Sequence, residues 1–125
     1  MNKIVPGIAG FYEITVTPGM LATAYSSGTL DVFATPSLIA FMEKTAMESV
    51  AGYLPENQTT VGTEVHVTHN KVTSVGKKLS FKSLLTETND RQLVFHVEAY
   101  EGDTLIGTGT HTRFIVDTER FLRKL

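Results

Sequence analysis

Residues 32–52 read VFATPSLIAFMEKTAMESVAG, and whether they form a helix decides how the rest of the chain is assembled. Thr35 is placed as an N-cap, Pro36 suits the first helical position and Gly52 follows the last periodic residue. Those signals bracket a helix from Thr35 to about Ala51. Around its circumference the obviously polar positions are Ser37, Lys44, Thr45, Glu48 and Ser49, so cover is expected on most sides, from a wrapping sheet or from a second subunit. Glu43 is the anomaly. At about 100° per residue, Pro36, Ile39, Ala46, Met47 and Val50 fall in one apolar stripe around it, while Lys44 and Glu48 project well away. A carboxylate there requires a specific partner or an environment suited to proton transfer, and general acid–base chemistry uses both.

Before the helix, FYEITVT (residues 11–17) is rich in β-branched and aromatic residues and stops at Pro18-Gly19, a strand ending in a turn. MLATAYSSGTLD (residues 20–31) reads as a short helix or a lid-like loop. After the helix the period changes to two. In TTVGTEVHVTHN (residues 59–70), Val61, Thr63, Val65, Val67 and His69 point one way, and Gly62, Glu64, His66, Thr68 and Asn70 the other. Strands at KLSFKSLLTE, QLVFHVEAY and TLIGTGTHTRFIVD follow, joined through Asn89-Asp90 and Glu101-Gly102-Asp103 as antiparallel neighbours. TERFLRKL closes the chain as a short helical turn with a basic side. This is an α+β order, a long helix lying against an antiparallel five-stranded sheet, and without any linker-like segment residues 1–125 read as a single domain.

Composition excludes several function classes. The chain of 125 residues has no cysteine, which removes disulfides, thiolate metal sites and cysteine nucleophiles. A net charge of −2 gives no electrostatic reason to expect nucleic acid or an anionic membrane. The N-terminal MNKIVPGIAGFYEI runs into strand-like sequence without a cleavage site, and no apolar run reaches membrane-spanning length, so a cytoplasmic protein is expected.

His69 continues the apolar row of Val61, Val65 and Val67 and is the core-facing partner available to Glu43; His66 is not. The HVTH spacing resembles a metal motif, but positions three apart on a strand face opposite ways, so no metal site is expected. His96 and His111 have no acidic companion nearby in sequence and read as structural or exposed. A buried glutamate bonded to backbone, or a satisfied core histidine, is the bland reading of each residue taken alone.

VFATPSLIAFMEKTAMESV, VGTEVHVTHNKVTSVGKKL and IGTGTHTRFIVD, in this order, resemble the signature segments of the fluoroacetyl-CoA thioesterase-like family of hotdog proteins, from about Leu30 to about Asp117. The resemblance implies a hotdog fold, in which a long central helix is wrapped by an antiparallel sheet, and a homodimer with sites near its interface. It implies a thioester hydrolase acting on a small or short acyl-CoA, with no cofactor. By matching motif, the catalytic threonine, glutamate and histidine fall on Thr35, Glu43 and His69, and substrate-contacting residues on Gly62 and Arg113. The segment before VFAT is an aromatic lid in the fluoroacetyl-selective member; here it is YSSGTLD, whose aromatic residue is Tyr25. Thioester hydrolysis, rather than a particular acyl group, is therefore the expectation.

On that reading Glu43 attacks as nucleophile or as base for a water, His69 moves protons, and Thr35 positions the carboxylate or the thioester. Backbone N–H groups near Gly62 or the helix start would bind the oxyanion. Lys71, Lys77, Lys78 and Lys82, and Arg120, Arg123 and Lys124, are candidate contacts for the anionic CoA. A hotdog hydratase or dehydratase, and a non-catalytic acyl-CoA or small-ligand module, are the alternatives.

Overall fold

The computed structural model describes residues 3–125; Met1 and Asn2, where the N-terminal reading starts, lie outside the described residues. Strand β1 (Ala9–Thr15) leads through a 3-10 turn (Pro18–Met20) and a short helix α1 (Ala22–Tyr25) to the long helix α2 (Thr35–Ala51). β2 (Gln58–His69), β3 (Lys78–Asn89), β4 (Gln92–Glu101), β5 (Thr104–Asp117) and the terminal helix α3 (Thr118–Arg123) follow. The strands form one five-stranded sheet in the order β1-β3-β4-β5-β2, antiparallel throughout. Both hairpin turns contain a residue in the left-handed region, Asp90 at φ 57° and Gly102 at φ 59°, as tight turns require. Among the described residues no helix is long and apolar enough to cross a membrane.

The sheet curls around α2, as the apolar character of residues 32–52 demands. Leu38, Met42, Ala46 and Val50, spaced by four, are fully buried against Leu79, Phe81, Phe95, Val97 and Ile106 of the sheet. Each of these side chains other than Ala46 contributes about 1.5–3 kcal/mol of burial. Two of the polar positions of the helix, Ser37 and Thr45, belong to this buried side. Ser37 donates to the Met20 carbonyl at 2.9 Å and Thr45 to the Phe41 carbonyl at 2.7 Å. A hydroxyl satisfied by a nearby carbonyl loses little on burial. Conversely, Ile39, Glu43 and Met47 are half-buried and Pro36 is exposed within one chain. The sheet therefore covers the Ala46 and Val50 side of the stripe and leaves Glu43, with Pro36, Ile39 and Met47, partly open.

Two local expectations are corrected. The N-cap of α2 is Ala34, with no side-chain capping bond, and Thr35 is already helical. The strict alternation of β2 is broken, because the register with β5 slips between Gly62 and Glu64. Gly62 pairs with Arg113 and Val65 with His111, so a bulge at Thr63 returns Gly62 to the inner face that Val65, Val67 and His69 share. A bulge inserts one residue and reverses the parity of everything before it, so Val61 and Gly62 exchange the faces that alternation assigns them.

Candidate active site

Two clusters lie along the open side of α2. At its start, Thr35 Oγ1 and His69 Nδ1 are 2.8 Å apart. Free of capping, the Thr35 hydroxyl orients the imidazole, and His69 Nε2 is buried without a hydrogen-bond partner among the described residues. The ring meets Phe33 edge-on, centroids 6.4 Å apart and planes at 86°. Burial pulls the His69 pKa below its ordinary 6.5, partly opposed by the backbone of Lys71. A neutral imidazole with one bonded and one open nitrogen is equipped to pass a proton.

Two helical turns further on, Glu43 reaches the inner face of β2. A Cβ built on Gly62 would stand 3.1 Å from Glu43 Oε2, 3.2 Å from His111 Cε1 and 3.4 Å from Arg113 Nη1. The missing side chain therefore leaves a space over the strand backbone in which a carboxylate, a guanidinium and a ligand atom can meet. Arg113 is buried, 6 % exposed, and held by neutral acceptors: Nε donates to Thr60 Oγ1 at 2.8 Å, Nη2 to the Thr60 carbonyl at 2.9 Å and Nη1 to His111 Nε2 at 3.1 Å. Burial lowers the Arg113 pKa and Glu43 opposes this; a guanidinium stays charged through such an effect.

Of the residues singled out in the sequence, Thr35 and His69 are in direct contact, and Glu43, Gly62 and Arg113 share the second cluster. Glu43 and His69, read from the sequence as possible partners, are joined by neither a hydrogen bond nor an ion pair within one chain among the described residues. Eight helical steps take the chain from Thr35 to Glu43, roughly 12 Å along the axis. His111, read as structural or exposed, is buried and belongs to the second cluster. Its signal was present in the spacing His111-x-Arg113, which puts both side chains on one face of a strand. His66 and His96 bind Glu64 at 2.9 Å and Glu98 at 3.3 Å. Among the candidate CoA contacts, Lys71 and Lys77 already approach Glu101, at 3.3 and 3.9 Å, and Lys82 lies over the Tyr100 ring.

A family model described as fluoroacetyl-CoA-specific thioesterase matches residues 16–119. The fluoroacetyl-CoA thioesterase of Streptantibioticus cattleyicolor is 33% identical over 95 residues, 76% of this chain and 68% of that one. A solved structure of the fluoroacetyl-CoA thioesterase superposes with a TM-score of 0.92 at 27% identity, covering 98% of this chain and 96% of that one. A thioesterase superfamily member from Thermus thermophilus superposes with a TM-score of 0.88 at 25% identity, covering 99% and 94%.

Proposed function

Because the chain belongs to the fluoroacetyl-CoA-specific thioesterase family, we propose that it is an acyl-CoA thioesterase that hydrolyses a short acyl-CoA with Thr35, Glu43 and His69 at the reacting thioester and Gly62 and Arg113 around its carbonyl. Glu43 supplies the attack, by its own oxygen or through a water that it deprotonates. Arg113 and the strand backbone at Gly62 meet the negative charge that develops on the carbonyl oxygen. His69, oriented by Thr35, handles the proton of the departing thiolate or of the hydrolytic water. The observation that carries this reading is the buried, unpartnered Nε2 of His69 beside the Thr35 bond. A buried polar atom without a partner costs stability, and a substrate group is a reason for retaining it.

The separation of the two clusters is the argument for a homodimer. β2 is a sheet edge of 12 residues, long enough to pair with a second copy of itself. An antiparallel β2–β2 pairing centred on His66, with the bulged Thr63 left out of the ladder, sets Gly62 of one chain alongside the partner's His69, inner face to inner face. Glu43 and Arg113 of one protomer then complete a site with the partner's His69 and Thr35, and the half-open stripe of Pro36, Ile39 and Met47 is covered by the same contact.

A panel of short acyl-CoAs with a thiol reagent, run on the parent and on Glu43→Gln, tests the reading. Thiol release by the parent that vanishes in the variant supports it. Stabilisation by acyl-CoA without thiol release, or enoyl-CoA hydration in its place, would sink it.

A further inference from the structure

We propose that His111 is a positioning residue for Arg113: its unprotonated Nε2 accepts one guanidinium N–H and fixes the cation over the Gly62 backbone, where Glu43 and the thioester oxygen meet. The proposal rests on the reading of Glu43 and Arg113 as one half of the active site.

Both ring nitrogens of His111 are committed, and their partners dictate the tautomer. The Glu64 carbonyl, 2.9 Å from Nδ1, can only accept, so Nδ1 carries the proton. Arg113 Nη1, 3.1 Å from Nε2, can only donate, so Nε2 presents its lone pair. The ring is pinned to β2 at one end and to the guanidinium at the other, and Phe95 of β4 stacks against it, centroids 6.4 Å apart at 28°. Every acceptor on Arg113 is then neutral: the Thr60 hydroxyl, the Thr60 carbonyl and the imidazole. A carboxylate in place of His111 would hold the guanidinium equally well but would cancel its charge. A neutral acceptor orients Arg113 and leaves its charge to act on Glu43 and on the developing oxyanion. The second Nη1 hydrogen has no partner among these bonds, and this nitrogen is the Arg113 atom nearest the space over Gly62.

Protonation breaks the arrangement, because an Nε2–H would face an Nη1–H and two cations would be in contact. The groups facing His111 are Arg113 on its own strand, Glu43 from α2, the Glu64 backbone from β2 and the apolar ring of Phe95 from β4. The Glu64 carboxylate is turned away to His66. Burial and Arg113 disfavour the imidazolium, while the Glu64 carbonyl and Glu43 favour it; burial is the largest effect and the balance is downward.

Two measurements test the role. Long-range nitrogen NMR of the intact parent protein should find His111 as the neutral Nδ1–H tautomer at pH 7. Steady-state thiol release should show that His111→Phe, which keeps a ring but removes the acceptor, loses roughly a hundredfold in kcat with KM little changed, whereas His111→Gln, which can donate to Glu64 and accept from Arg113, stays within about tenfold. The glutamine variant should also lose the part of the acid limb that the parent owes to His111, keeping the part due to His69. An imidazolium or an Nε2–H tautomer in the parent, or a folded phenylalanine variant with the parental kcat and pH profile, overturns the proposal. If the phenylalanine variant does not fold, a folded glutamine variant that loses a hundredfold overturns it instead. Absence of thiol release by the parent defeats the functional reading and leaves the tautomer measurement to decide this one.

Discussion

Glu43 and Glu48 lie on one helix with different surroundings. Glu48 is exposed and paired with Lys44 at 3.0 Å, an i,i+4 contact worth a few tenths of a kcal/mol. Glu43 is half-buried beside Gly62, without a hydrogen bond or ion pair among the described residues. Glu43→Gln preserves shape and removes the charge, so it should lower kcat by roughly a thousandfold or more while moving the melting temperature little; Glu48→Gln should leave both nearly unchanged. Thiol-release kinetics and thermal melts of the two variants provide the check. The histidines add a pH dependence. His69 and His111 both have pKa values pulled below 6.5 by burial, so the unfolded chain takes up protons before the folded one does. Stability that is complete above pH 6.5 therefore falls as pH drops toward the lowered folded values. Melting temperature followed downward from neutral pH should decline through this window, and less steeply in His111→Gln. A flat profile in the parent would contradict the buried neutral state of both rings.

The elements were largely legible in the sequence, and the deviations within them were not. Pro36, Gly52 and the apolar run located α2, and composition, turn signals and, after the helix, alternation located the strands, because those signals arise from burial repeated over many residues. The bulge at Thr63 involves one residue, and the alternation on either side of it remains intact, so the sequence does not show that Gly62 and His69 share a face. Thr35 was misread for a related reason: its hydroxyl could cap the helix or bond His69, and only the fold brings His69 to it. The environment of His111 depends on three strands and a helix converging, which no local pattern encodes. Two of the inner-face glycines, Gly62 and Gly109, make the placement of Gly62 testable. In Gly62→Ala the new methyl would meet Glu43 Oε2 at 3.1 Å and His111 Cε1 at 3.2 Å, and the flexible carboxylate can yield. Activity should fall roughly tenfold with the melting temperature nearly kept. In Gly109→Ala the methyl would overlap the His66 carbonyl oxygen and lie 2.6 Å from the Val67 Cα. Backbone cannot yield cheaply, so the loss should appear in stability, about 2 kcal/mol or more. Denaturant melts beside thiol-release assays of the pair decide between the two outcomes.

At the scale of the whole molecule, the proposed dimer draws on three features, the half-open face of α2, the position of β2 at the sheet edge and the separation of the two residue clusters. α2 carries apolar residues on a side that its own sheet leaves partly open, around Pro36, Ile39 and Met47. β2 holds Gly62 with its cluster toward one end and His69 with Thr35 at the other. The proposed antiparallel dimer along that edge would cover the stripe and join unlike ends of two strands, giving two equivalent sites related by the dyad. Mixing two inactive variants distinguishes this from a site built within one chain. Glu43→Gln and His69→Ala, denatured together and refolded, form mixed dimers in which one of the two composite sites has an intact Glu43 from one protomer and the partner's intact His69. With random pairing, half of the dimers are mixed and half of their sites are intact, so activity should recover to about a quarter of the parental value. Each variant refolded alone should stay inactive. A within-chain site predicts no recovery in the mixture, because every chain then carries a lesion in its own site.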